Sequence, residues 1–233
     1  MSPGGDIAVV IPARQESDRI GRTVRAAIGL PGVDLVLVVD DGSHDQTRVL
    51  AERAGAAVVS HSKPRGKGAA METGAETVRL LDHQEGRPVP RYLLFLDADL
   101  GDTAQHAGPL AEPVRRGEAD MTMAVFSSTV KLGGHGFVVK LSGSGIERAT
   151  GWRPAQPLNG QRCLTRAAFD AARPIARGFG AETALTIDLL RRGMRVTEVE
   201  VPLAHRATGT GMRAQLHRAH QLTDVARALA TRL

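Results

Sequence analysis

The chain has 233 residues, 42% of them hydrophobic, enough for a substantial core in one large domain or two small ones, which excludes a minimal scaffold. Its single cysteine, Cys163, excludes an internal disulfide and a cysteine-rich zinc site and is expected to be a small core residue. A formal net charge of +5 favours anionic ligands, but aromatics at 3% and dispersed basic residues argue against nucleic acid as a partner.

The longest apolar runs, Leu35 to Val39 and Tyr92 to Leu96, fall far short of the roughly 20 residues that a membrane-spanning helix needs, so no integral membrane segment is expected. Met1 to Asp6 lacks the basic stretch and apolar core of a secretory signal, and the chain reads as cytoplasmic.

In chain order, the β-branched run Ile7 to Ile11 ends at Pro12 and predicts a buried strand. Arg14 to Leu30 has helical spacing, with Ile20, Val24, Ala27 and Ile28 on one face. A second strand, Leu35 to Val39, breaks at Asp40-Asp41-Gly42-Ser43, and a helix over Asp45 to Ala54 follows, capped by Ser43 or Asp45. Val58 to Ser60 is a brief third strand. The basic loop Lys63 to Gly68 leads into a helix from Ala69 to about Leu81, and Tyr92 to Leu96 is the next strand.

Alternating strands and helices imply an α/β fold with a mainly parallel sheet and a ligand crevice at the carboxyl ends of its strands. Pro12, Asp40, Asp41, Asp97 and Asp99 all fall there. The second half is less regular: a glycine-rich stretch from Gly133 to Gly151, a helix over Ala181 to Arg192, a strand over Arg195 to Val201, and an amphipathic helix over Gln215 to Leu233. That last helix opposes Leu222, Val225, Leu229 and Leu233 to Arg218, Arg227 and Arg232. Because its stripe is rich in alanine and lacks Trp or Phe, packing on the domain or on a second subunit is expected rather than membrane insertion, and a homodimer stays open.

Asp97-Ala98-Asp99 places two carboxylates on one tight turn, where they can bind a hard divalent cation that bridges the diphosphate of a nucleotide. Asp40 can accept from a base imide or ribose hydroxyl, or the acidic pair can serve as a helix cap. Lys67, between Gly66 and Gly68, offers a point charge where the backbone can approach a phosphate. The loop is not a P-loop, since His61 replaces the first glycine and Gly68 the Ser or Thr after the lysine. A dinucleotide turn is absent after the first strand, where Ala13-Arg14-Gln15 stand.

Four segments in order, Val9-Val10-Ile11-Pro12-Ala13, Val38-Val39-Asp40-Asp41-Gly42-Ser43, Arg65-Gly66-Lys67-Gly68-Ala69 and Leu96-Asp97-Ala98-Asp99-Leu100, resemble the motifs of family 2 glycosyltransferases. The resemblance implies a single Rossmann-like nucleotide-sugar domain over residues 1–233, with a nucleotide-sugar half to about 125 and an acceptor half beyond it. It implies Pro12, Ala13, Glu16, Asp40 and Lys67 around the nucleotide, Asp97 by the ribose and diphosphate, and Asp99 on the metal.

The second half resembles glucosyl-3-phosphoglycerate synthases and their mannosyl relatives through Gln156-Pro157-Leu158-Asn159-Gly160-Gln161, Gly178-Phe179-Gly180-Ala181-Glu182 and Ala204-His205-Arg206. From this, His205 completes a Mn²⁺ or Mg²⁺ site, Glu182 faces the sugar or acceptor, and Glu182 and Asp97 are the catalytic candidates. The chain departs from that family in the residues after Gly133-Gly134, where His135-Gly136-Phe137 replace the Arg and Thr of the phosphoglycerate clamp, and at Gln161, where members carry an acid. Polyprenyl-phosphate sugar synthases are near relatives, but Gly101 stands where they carry Gln. The expected activity is transfer of a hexose from a nucleotide diphosphate sugar, a UDP-sugar, to a small hydroxylated or phosphorylated acceptor. A polyprenyl-phosphate sugar synthase, a nucleotidyltransferase and a binding module that has lost turnover are the alternatives.

Overall fold

A computed structural model describes residues 6–127, 136–176, 178–204 and 212–233, with only the backbone described for Phe179 and residues 212–220. The first apolar run forms β1 (Ile7–Ala13), whose side chains alternate between two cores as the two-residue period of a strand requires. Ile7, Val9 and Ile11 pack with Ile20, Val24 and Ala27 of helix α1 (Ile20–Ile28). Ala8 and Val10 face Ala70, Met71, Ala75 and Val78 of helix α3 (Lys67–Gln84).

Six further strands, β2 (Val33–Asp40), β3 (Ala57–Ser60), β4 (Tyr92–Phe95), β5 (Met121–Phe126), β6 (Arg162–Leu164) and β7 (Val196–Val201), complete a sheet of order β3-β2-β1-β4-β6-β5-β7. Only β6 runs antiparallel to its neighbours. The chain steps outward from β1 to β2 and β3, then crosses to the far side of β1 to form β4. The order therefore reverses beside β1, which opens a crevice at the carboxyl ends of β1 and β4.

The remaining helices are α2 (Thr47–Arg53), α4 (Glu112–Arg115), α5 (Gly136–Thr150), α6 (Arg166–Ala171), α7 (Ala181–Arg191) and α8 (Met212–Ala230). Val138 and Ile146 of α5, Ile187 of α7, and Val225 and Leu229 of α8 form a third core, against which Leu222 packs. The stripe of the last helix thus packs on its own domain, with Leu233 left exposed.

Three expectations need correction. The helix expected from Arg14 begins at Ile20, because the amides of Gln15, Glu16 and Ser17 donate instead to Ser43 Oγ (3.0 Å), Thr47 Oγ1 (2.8 Å) and Asp45 Oδ2 (3.2 Å). Ser43 is thereby drawn away from capping α2, while Asp45 Oδ1 accepts from Thr47 N at 3.0 Å. Most of the glycine-rich stretch is helix α5, in which Gly145 admits the Leu229 side chain closely. Lys67 is the first residue of α3 rather than part of the loop before it.

Candidate active site

The carboxyl ends of β1 and β2 are zipped together: Pro12 pairs with Val39, Ala13 with Asp40, and Asp41 N donates to Ala13 O at 2.8 Å. This register brings Pro12, Ala13 and Asp40 side by side at the crevice. Asp40, nearly buried, accepts from Ser43 N at 3.2 Å. Glu16 lies in the tied loop that follows, its carbonyl accepting from Arg19 N and Ile20 N at the start of α1.

Asp41 turns the other way and organises the basic loop. Its carboxylate accepts from Arg65 N and Gly66 N, both at 2.8 Å, and from His61 Nδ1 at 2.7 Å. A carboxylate requires a proton on that nitrogen, which leaves His61 Nε2 to accept from Thr73 Oγ1 at 2.9 Å in the neutral ring. Burial pushes the Asp41 carboxyl up, but the hydrogen bonds from His61 and the two amides outweigh it and hold it below the ordinary range.

The acid turn after β4 is pinned from α1. Thr23, fully buried, donates its hydroxyl to Ala98 O and accepts from Gly101 N, both at 2.8 Å, and Arg19 Nη1 donates to Asp99 O at 3.1 Å. Asp97 and Asp99 are therefore both half-buried on a turn with little freedom.

At the centre of the crevice Lys67 Nζ lies between two acids, 2.6 Å from Asp97 Oδ1 and 2.8 Å from Glu182 Oε1. Burial alone would depress the ammonium, but the charges of Asp97 and Glu182 reverse that and raise it above its ordinary value. Glu182 enters from the first turn of α7 and is 4% exposed. Asp97 Oδ2 accepts from Gln161 Nε2 at 2.8 Å, and because that oxygen can only accept, the Gln161 amide is oriented with its own Oε1 directed elsewhere. A Cβ on Gly160 would collide with Lys67 Nζ and come within 2.8 Å of Asp97 Oδ1, so any larger residue there would push the ion pair aside.

The structure thus brings Lys67, Asp97 and Glu182 into contact and sets Pro12, Ala13, Asp40 and Asp99 on neighbouring strand ends. His205 lies outside the described residues. Two other acids that could take an acceptor proton are held elsewhere: Asp188 is paired with Arg232, just past the end of α8, at 2.6 Å and Asp102 with Arg22 on the surface at 3.4 Å. Among the described residues no three His, Cys, Asp or Glu side chains converge, so these offer no all-protein metal cage. Asp97 and Asp99 stand two residues apart on this turn, and a hard cation that takes one or two carboxylates and shares its coordination with phosphate oxygens can use such a pair. Thr23 and Arg162 escaped the reading of the sequence, and Gly160 entered it only as part of the segment Gln156 to Gln161. Thr23 alone carried a signal, a polar residue in phase with Ile20, Val24 and Ala27.

Residues 8–166 match the model of the family described as Glycosyl transferase family 2. Over 208 residues the chain is 29% identical to glycosyltransferase AglJ of Haloferax volcanii, covering 88% of this chain and 65% of that protein. Over 212 residues it is 29% identical to glucosyl-3-phosphoglycerate synthase of Mycolicibacterium paratuberculosis, covering 81% of this chain and 61% of that one. The chain therefore spans less than two-thirds of the length of these relatives. It is also similar to the crystal structure of glucosyl-3-phosphoglycerate synthase from Mycobacterium tuberculosis with Mn²⁺, UDP and phosphoglyceric acid, with a TM-score of 0.75 and 26% identity over 98% of this chain and 78% of that chain. The reversal of strand order beside β1, the acid turn at its mouth and the match across 8–166 all lead to one conclusion: the chain belongs to glycosyl transferase family 2.

Proposed function

We propose that the protein is a glycosyltransferase that moves a hexose from a UDP-sugar to a small hydroxylated or phosphorylated acceptor, with Mn²⁺ or Mg²⁺. The observation that carries this reading is Lys67 held between Asp97 and Glu182 where the strand order reverses, one turn from Asp99. UDP, Mn²⁺ or Mg²⁺ and phosphoglyceric acid occur in structures of the similar mycobacterial synthase.

Pro12, Ala13 and Asp40 line the nucleoside end, Asp40 accepting from the base, and Glu16 borders it on the following loop. Asp97 sits by the ribose and diphosphate. Asp99 and His205 are the metal ligands; the cation, when bound, stabilises the charge that develops on the departing diphosphate. Lys67 and Arg162 offset Asp97 and Glu182, so this inner set adds no net attraction for an anion, which makes donor binding dependent on the cation. Glu182, paired with Lys67 at 2.8 Å, is the group to accept from a sugar or acceptor hydroxyl.

The test is a screen of nucleotide sugars by thermal shift with and without Mn²⁺, followed by product analysis. A donor raises the melting temperature by mass action, and UDP with free or transferred sugar is the expected product. Pyrophosphate release from a nucleoside triphosphate would instead establish a nucleotidyltransferase. Asp99→Ala is expected to abolish metal-dependent donor binding with the fold intact, and His205→Ala to weaken it less, because water can replace a neutral ligand; wild-type manganese dependence in either variant removes that residue from the metal site.

A further inference from the structure

Arg162 lies in the middle of the sheet on β6, opposite Phe95 of β4 and Met123 of β5, and is fully buried. A guanidinium in that position is costly unless its donors and its charge are answered. Its donors are answered by neutral oxygens: Nε donates to Asn159 O at 3.0 Å, Nη2 to Pro157 O at 3.2 Å and Nη1 to Thr186 Oγ1 at 2.8 Å. Its charge is answered at longer range. Burial pushes the guanidinium down to about 10, and the charges of the Glu182 and Asp97 carboxylates act against that fall.

The three partners belong to the two flanks of the ion-paired centre. Pro157 and Asn159 open the turn that presents Gly160 to Lys67 and Gln161 to Asp97, and Asn159 Oδ1 also accepts from Gln161 N at 3.0 Å. Thr186 stands one turn along α7 from Glu182, and its hydroxyl, receiving Arg162, donates to Glu182 O at 2.9 Å. Removing the guanidinium would leave three acceptors buried and would disconnect the turn from the helix.

We propose that Arg162 is a positioning residue for the transfer step: one buried cation ties the Pro157–Gln161 turn to the first turn of α7, so that Gln161 and Glu182 close on Asp97 and Lys67 as a single rigid unit. The inference rests on the glycosyltransferase reading above. Arg162 itself touches neither donor nor acceptor. Its loss acts on the geometry of the reacting groups and leaves the nucleotide pocket of β1 and β2, on the other side of β4, in place.

Three variants test it, with hydrolysis of UDP-glucose in Mn²⁺ giving kcat and KM and calorimetry giving UDP affinity. Arg162→Met removes charge and fork, Arg162→Lys keeps the charge without the fork, and Thr186→Val removes the hydroxyl that joins Arg162 to Glu182 O while leaving the bonds to Pro157 and Asn159. A displacement of reacting groups on the order of 1 Å costs about 100-fold in rate. The expected result is a kcat lowered by about 100-fold in Arg162→Met and by about 10-fold in the other two, with UDP affinity within about twofold of the parent in Arg162→Lys and Thr186→Val, which keep the charge. If Arg162→Met does not fold, the Lys and Val variants decide by the same criterion. Folded variants with kcat within about twofold of an active parent, or Arg162→Lys and Thr186→Val with UDP affinity falling in step with kcat, overturn the inference and leave the function standing. A parent that neither binds UDP nor turns over UDP-glucose overturns the function and the inference with it.

Discussion

Asp40 and Asp41 are adjacent in the chain and divide their work. Asp40 remains at the mouth of the crevice, while Asp41 spends its oxygens on His61 and on the amides of Arg65 and Gly66, the residues that lead into Lys67. Asp41→Asn is expected to destabilise the protein by about 2 kcal/mol, the scale of hydrogen bonds to a buried charged acceptor. Its pH dependence has a definite sign. A carboxyl whose folded pKa is depressed contributes stability above its unfolded value, near pH 4, and loses it as pH falls through the lower folded value. Urea denaturation should therefore show a constant gap between parent and variant above about pH 5 that closes below about pH 4; a gap that persists in acid would assign the loss to shape rather than charge. At Gly160 the constraint is steric: Gly160→Ala is expected to lower turnover by about 100-fold by displacing Lys67 and Asp97, with little change in melting temperature. An alanine variant with parental kcat would show that the ion pair can shift without consequence. Asp40, Asp97, Asp99 and Lys67 stand out in the sequence because each comes at the end of a strand or beside a glycine, whereas Glu182 is reached only through the family resemblance. Arg162 does not stand out, since a buried cation answered by backbone carbonyls has no pattern in a sequence.

Among the elements, strands β1, β2 and β4 were legible from short apolar runs, β-branched in β1 and β2, whereas β6 was not, because three residues carry no period. Helix α5 was obscured for a physical reason. Glycine is a poor helix former, yet Gly145 lies where a Cβ would overlap the Leu229 side chain, so tertiary packing overrides propensity. Gly145→Ala should cost about 1–3 kcal/mol through overpacking, and Leu229→Ala about 2–4 kcal/mol through the cavity it leaves. The two changes meet at one contact, so the double variant is expected to be more stable than the sum of the singles predicts, by about 1 kcal/mol or more. Strict additivity in chemical denaturation would show that α5 and α8 do not meet there. The contact matters beyond stability because α8 also adjoins the turn before Glu182: a Cβ at Gly180 would lie 2.6 Å from Asp224 O, so the helix backbone is seated directly against the entry to α7.

For the molecule as a whole, the question with the most distinct outcomes is what its positive charge and its last helix do together. With a formal net charge of +5, the chain is attracted to any anionic surface, and a helix with an apolar stripe facing arginines is the kind that can lie in a membrane interface. The fold answers for the stripe: Val225 and Leu229 are buried against α5 and α7, Leu222 packs on the same cluster, and Arg232 is held by Asp188 at 2.6 Å. No helix among the described residues is long and apolar enough to cross a membrane. What the described side chains of α8 leave for a lipid surface is charge without an insertable face, and charge is screened over about 8 Å at physiological ionic strength. Sedimentation with vesicles containing anionic phospholipid should accordingly show weak binding at low salt that is gone at about 0.15 M, with none to neutral vesicles. Binding that survives about 1 M salt, where the screening length is only about 3 Å, would mean that apolar side chains enter the bilayer and that α8 leaves its seat on α5 and α7 to deliver them.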